Sequence, residues 1–114
     1  MRCLAKFAVS LGFATLFAPP LALAEDHLAE AISHTREAID QGRQGDADAL
    51  NNFVIQAEAA LKHAQAAVVK KDNAETKRGI ARLNTAIYQG KQKHSNFATK
   101  YAEEALTHLE AAQK

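Results

Sequence analysis

From Leu21 to Lys114 the chain contains no proline, and its apolar residues return every three or four positions. This combination is the strongest constraint on folding. No backbone N–H is missing over that stretch, and a stripe of this period lies on one face of a helix. Leu28, Ile32, Thr35 and Ile39 mark a first segment. Leu50, Val54, Ala57, Leu61, Ala64 and Val68 mark a second. Thr76, Ile80, Leu83 and Ile87 mark a third, and Ala98, Ala102, Ala105, Leu109 and Ala112 a fourth. Abundant Ala, Glu, Lys, Gln and Leu favour helix throughout. No segment alternates with period two, so no sheet is expected.

Helix stop signals fall between the stripes. Gly42 and Gly45 bracket a turn, with Asp46 or Asp48 to cap the next helix. Lys71-Asp72-Asn73 divides the second segment from the third. Gly90 is expected to end the third, and Ser95 or Asn96 to cap the fourth, with a start nearer His94 as the alternative. The halves repeat. Ile32, Ala38-Ile39, Gln41-Gly42 and Gln44 match Ile80, Ala86-Ile87, Gln89-Gly90 and Gln92 at an offset of 48. Ala57-Glu58-Ala59-Ala60-Leu61-Lys62-His63 matches Ala102-Glu103-Glu104-Ala105-Leu106-Thr107-His108 at an offset of 45. Three extra residues therefore lie between Asp46 and Ala57. Two similar hairpins with short loops predict an all-α, up-down-up-down four-helix bundle.

Residues 1–24 have another character. Arg2 and Lys6 precede an apolar run from Phe7 to Phe17, and Ala22-Leu23-Ala24 fits a signal peptidase site. The expected division is a signal peptide over 1–24 and a bundle domain over 25–114, exported to the periplasm. Taking Arg2 and Lys6 from 14 basic residues leaves 12 against 13 acidic ones. Such a balance points to neither nucleic acid nor membrane as a partner. The single Cys, Cys3, excludes an internal disulfide and a CxxC site, and no phosphate loop, HExxH or GxSxG is present. The chain is therefore not expected to be an enzyme.

Five histidines remain as carriers of chemistry: His27, His34, His63, His94 and His108. His27 and His34 are seven residues apart, about 10.5 Å along a helix, too far for one ion. A site must join helices or use local pairs, of which His27–Glu30, Glu30–His34 and Glu104–His108 qualify. Counting from the hairpin turns places His27, His63, Glu75 and His108 at one height. Three imidazoles and a carboxylate suit Cu(II) or Zn(II). Asp46 and His94 mark a second, weaker site near the turns. Tyr88 and Tyr101 read as boundary packing, and Lys70-Lys71 and Lys77-Arg78 as a solvated face.

With leader, repeat and histidine spacing together, the chain resembles the small metal-binding protein family of bacterial periplasms. The matching text includes His27-Leu28-Ala29-Glu30-Ala31, His34, Glu37-Ala38, Ala57, Leu61-Lys62-His63-Ala64, Gly79-Ile80, His94, Ala98-Thr99-Lys100 and Leu106, His108-Leu109. The resemblance implies a four-helix bundle that binds divalent metals, copper prominent among them and nickel or zinc as others, through histidines. Carried over by position, His27, His34, His63, His94 and His108 fall on histidines of that pattern. Gln41, Asp46, Gln56, Arg78, Arg82, Gln89 and Tyr101 stand where the pattern has or allows His. One or two metal sites are expected, Glu30 and Glu75 contributing carboxylates. The competing expectation is a metal-independent helical interaction or chaperone-like module, with an apolar groove around Phe53, Phe97 and Tyr101.

Overall fold

The computed structural model describes residues 20–114. Four helices account for nearly all of them: α1 (Pro20–Gln44), α2 (Ala47–Lys70), α3 (Ala74–Lys91) and α4 (Ser95–Ala112). No strand occurs among the described residues. Each helix packs on two neighbours, α1 on α2 and α4, and α3 on α2 and α4, which closes the four-helix bundle. Most of the expected signal segment lies outside the described residues; its last five, Pro20–Ala24, continue α1. Among the described residues no helix is long and apolar enough to cross a membrane.

The loops follow the capping residues. Asp46 accepts a hydrogen bond from the Ala49 N–H at 2.8 Å and starts α2. Asn73 Oδ1 accepts from Glu75 at 2.8 Å and Thr76 at 3.1 Å and starts α3. At α4 neither Ser95 nor Asn96 is the cap: the helix starts from His94, the alternative position, which makes no side-chain capping bond. Glycine usage also departs from expectation. Gly90 does not end α3, which runs on to Lys91. The left-handed turn residues are Gly45 (φ +78) and, 48 positions later, Lys93 (φ 68).

Gly42 and Gly90, a repeat-related pair, serve packing instead. A Cβ on Gly42 would lie 3.1 Å from Phe53 Cδ2, and one on Gly90 3.0 Å from Phe53 Cδ1. The two glycines thus flank opposite edges of one ring. Phe53 is fully buried among Ala38, Ile39, Ala57, Ala86, Ala98 and Ala102, at the end of the bundle nearer the hairpin turns. A second cluster fills the other end around Leu28, Ile32, Ala64, Leu83 and Leu109. Gly79 gives way to Leu109, whose Cδ2 would meet an added Cβ at 2.7 Å.

The seam of α2 keeps Leu50, Ala57 and Ala64 of the expected stripe and lies one position earlier at the other three. Phe53, Ala57, Ala60, Ala64 and Ala67 are buried, whereas Val54, Leu61 and Val68 are half-buried flanks. In α3 the innermost residues are Thr76, Gly79, Leu83, Ala86, Ile87 and Gly90, with Ile80 at the edge. Small side chains occupy the line of closest approach, and larger ones cover its sides. Ion pairs then brace neighbouring helices: Arg36–Glu110 and Arg43–Glu103 join α1 to α4, and Lys91–Glu58 joins α3 to α2.

Candidate metal centre

The seam leaves the histidines on its flanks, so their meeting depends on the register between antiparallel neighbours. In the first hairpin the register centres on Gly45. His34 and Gln56 stand 11 residues to either side of it, and His27 and His63 stand 18 to either side. Both pairs meet. His34 Nδ1 lies 2.7 Å from Gln56 Oε1, and His27 Nδ1 lies 3.1 Å from His63 Nδ1. His63 is placed between the two α1 histidines, with ring centroids 5.4 Å from His27 and 5.5 Å, stacked, from His34.

Glu30 completes the group. It lies one turn before His34, with Oε1 3.8 Å from His34 Nε2. Ligand atoms from Glu30, His34 and His63 all fall within 4.8 Å of one another. Among the described residues no other set of three histidine, cysteine or carboxylate side chains converges in this way. The imidazoles are half-buried and Glu30 is exposed, so the group opens to solvent.

The hydrogen bonds decide which nitrogens are available. With His34 Nδ1–H donating to Gln56 Oε1, Nε2 keeps its lone pair 3.8 Å from Glu30 Oε1, and the amide holds the ring in place. Glu37 adds a carboxylate 3.8 Å from His34 Nδ1. Between His27 and His63 one Nδ1 donates and the other accepts. Their separation also suits shared ligation. Two nitrogens bound at about 2.0–2.1 Å stand about 2.9 Å apart at a right angle and about 3.4 Å apart at a tetrahedral one. The observed 3.1 Å lies between. Imidazoles with one carboxylate are a donor set for Cu(II), Ni(II) or Zn(II).

The expected four-residue layer of His27, His63, Glu75 and His108 resolves into two pairs. His27 meets His63 across α1 and α2, and Glu75 meets His108 across α3 and α4, with 2.7 Å between His108 Nδ1 and Glu75 Oε1. The four do not form one ligand group, because the flanks of the two hairpins are separate surfaces. Both Glu75 oxygens are engaged, Oε1 by His108 and Oε2 by Arg78 Nη1 at 2.7 Å. The His108 hydrogen bond is the main reason the Glu75 carboxyl stays below its usual range. The Arg78 charge adds to this, and partial burial opposes it. Glu75 thus fixes the His108 ring through Nδ1. Of the local pairs, Glu30–His34 forms, while Glu104 goes to Arg82 at 3.0 Å.

Near the turns, His94 Nδ1 bonds Gln89 Oε1 at 2.9 Å, and its ring stands edge-on to Phe97. Asp46 is spent on its cap, so the expected pairing of Asp46 with His94 gathers no ligand group. The groove expected around Phe53, Phe97 and Tyr101 is corrected outright. Phe53 is fully buried between glycines, Tyr101 is half-buried, and Phe97 alone of the three is exposed. Gln56 and Glu37 are the neighbours of the site that spacing missed. Equal counts from Gly45 would have found Gln56, and the i, i+3 step from His34 would have found Glu37.

A family model described as small metal-binding protein, SMBP, matches residues 1–112. No curated protein matches the chain.

Proposed function

The chain belongs to the small metal-binding protein family, and from that premise we propose that it buffers or scavenges a divalent transition metal in the periplasm through the first hairpin. The metal is Cu(II), with Ni(II) or Zn(II) as weaker occupants. His34 and His63 are the imidazole ligands, Glu30 supplies the carboxylate, and His27 adds a further nitrogen at the edge of the group. One observation carries this reading: three donors from two helices lie within 4.8 Å of one another. A carrier role fits the openness of the group, since ligands at the surface exchange an ion without unfolding the bundle.

Calorimetric titration with Cu(II), Ni(II) and Zn(II) at about pH 7.5 and again at about pH 5.5 tests the proposal. Saturable binding that weakens at the lower pH is expected, because neutral imidazole is the ligand form. Binding that is unchanged when His34 and His63 are both replaced by Ala would overturn the site. The location is tested separately, by fractionating cells that express the full chain.

A further inference from the structure

We propose a second metal site, built from the backbone and one side chain of the tripeptide Glu25-Asp26-His27, which takes Cu(II) or Ni(II) in a square-planar set of four nitrogens. The inference rests on the export reading, because cleavage after Ala24 makes Glu25 the first residue and places His27 third. An amino-terminal sequence with histidine in third place offers its α-amine, two backbone amide nitrogens and imidazole Nδ1 as a chain of fused chelate rings. Such a nitrogen plane is the preferred geometry of Cu(II) and Ni(II), and it excludes Zn(II), which prefers tetrahedral sites. On binding, the amide protons of Asp26 and His27 pass to solvent, as does any proton on the amine. No electron is transferred.

Cleavage after Ala24 would leave this tripeptide at the first turn of α1. In α1 the N–H groups of Asp26 and His27 run toward carbonyls four residues back, at Ala22 and Leu23. Removing residues 1–24 takes those acceptors away. Both N–H groups then belong to a first helical turn with no intrahelical partner. Glu25 and Asp26 are exposed, and packing of α1 begins in earnest at Leu28. Room for the turn to open is present as well. A cleft of about 380 Å³ lies at this end of the bundle, lined by Ala24, Glu25, Leu28, Ala67, Thr76 and Ala112. Loss of Ala24 enlarges it. His27 Nδ1, the nitrogen the chelate needs, is the atom that faces His63. The chelate therefore draws His27 away from the edge of the imidazole cluster and leaves Glu30, His34 and His63 as that cluster's ligands.

The test uses the full chain, exported by a bacterial host with its own leader and purified from the periplasm. Mass spectrometry reads the first residue, and Ni(II) is added while absorbance and magnetism are followed. A protein beginning at Glu25 that turns yellow and diamagnetic with one equivalent is expected. Asp26→Pro should abolish that signal, since proline removes one of the two amide N–H groups yet is accepted in a first helical turn. Asp26→Ala, which keeps the N–H, should retain it. His27→Ala should lose it, with helical content checked by circular dichroism in every variant. A different first residue, or an Asp26→Pro spectrum equal to wild type, overturns the proposal. His34→Ala separates it from the imidazole cluster. Low-spin nickel that survives this change belongs to the amino terminus, even where cluster binding fails altogether. Low-spin nickel lost in His34→Ala but kept in Asp26→Pro assigns the signal to the cluster and removes the amino-terminal site.

Discussion

The two hairpins share a backbone plan and differ in what their flanks carry. The offsets of 48 and 45 pair His27 with Glu75, Glu30 with Arg78, His34 with Arg82, and His63 with His108. The cross-helix contact survives in both, at 3.1 Å between His27 and His63 and 2.7 Å between His108 and Glu75. Around it the chemistry is inverted. The first hairpin surrounds its imidazole pair with Glu30 and Glu37, and the second surrounds His108 with the guanidinium groups of Arg78 and Arg82, each bound to a carboxylate. One geometry therefore gathers donors for a cation on one side and salt bridges on the other. In the proposed site, metal binding is a property of flank residues, and the fold does not impose it.

The comparison breaks most visibly if the second hairpin is rewritten as the first. Glu75→His, Arg78→Glu and Arg82→His together should raise Cu(II) stoichiometry by one equivalent per chain, read by calorimetry. Phe53 comes next. Its counterpart at the 45-residue offset is Ala98. Phe53→Ala should cost about 3–5 kcal/mol in urea unfolding, since the ring is fully enclosed and its glycine neighbours have nothing to fill the space.

A middle-sized effect separates the histidines. His63→Ala should weaken Cu(II) at the cluster by about 100-fold, equivalent to about 2.7 kcal/mol, whereas His108→Ala should leave it nearly unchanged. Equal losses in the two variants would mean that both hairpins hold one ion. Turn chemistry gives a smaller difference. Lys93 occupies the left-handed position that Gly45 fills in the first hairpin. Lys93→Gly should stabilise by up to about 1 kcal/mol in the same unfolding assay.

The smallest effect depends on pH. The folded-state pKa of Glu75 lies below its ordinary value of 4.5, so its contribution is present above that value. It fades as pH falls through the lowered pKa. His108→Ala removes the main cause of the lowering. The variant should lose less stability than wild type on acidification below pH 4.5, measured as the shift in urea midpoint.

Much of this was readable from residue spacing, for physical reasons that also mark where reading stops. Stripes of period three and four, with Asp46 or Asp48 as a cap and Lys71-Asp72-Asn73 as a break, suffice for four helices and their order, because these signals are local. The repeat suffices for antiparallel hairpins. Along α2 the expected Leu50, Ala57 and Ala64 are buried, while Phe53, Ala60 and Ala67 take the inner places expected of Val54, Leu61 and Val68. Alanine permits the closest approach, so Ala57, Ala60 and Ala64 lie inside while Val54 and Leu61 lie beside them. Gly42 and Gly90 looked like helix ends, but their role depends on Phe53, a partner reached through the fold. The histidine pairs depended on register. Counting from the hairpin turns places four residues at one height, and height alone does not say which flank of the bundle a residue occupies.

The alanine seam has one more consequence. A seam of such small residues along the line of closest approach makes few demands on what lies beside it, so the neighbouring columns can be rewritten without repacking the interior. Histidine, arginine, glutamine and tyrosine already alternate there between the two halves. The bundle behaves as a rack with interchangeable fittings, and a lineage could raise or lower its metal capacity one flank residue at a time while the scaffold stays the same.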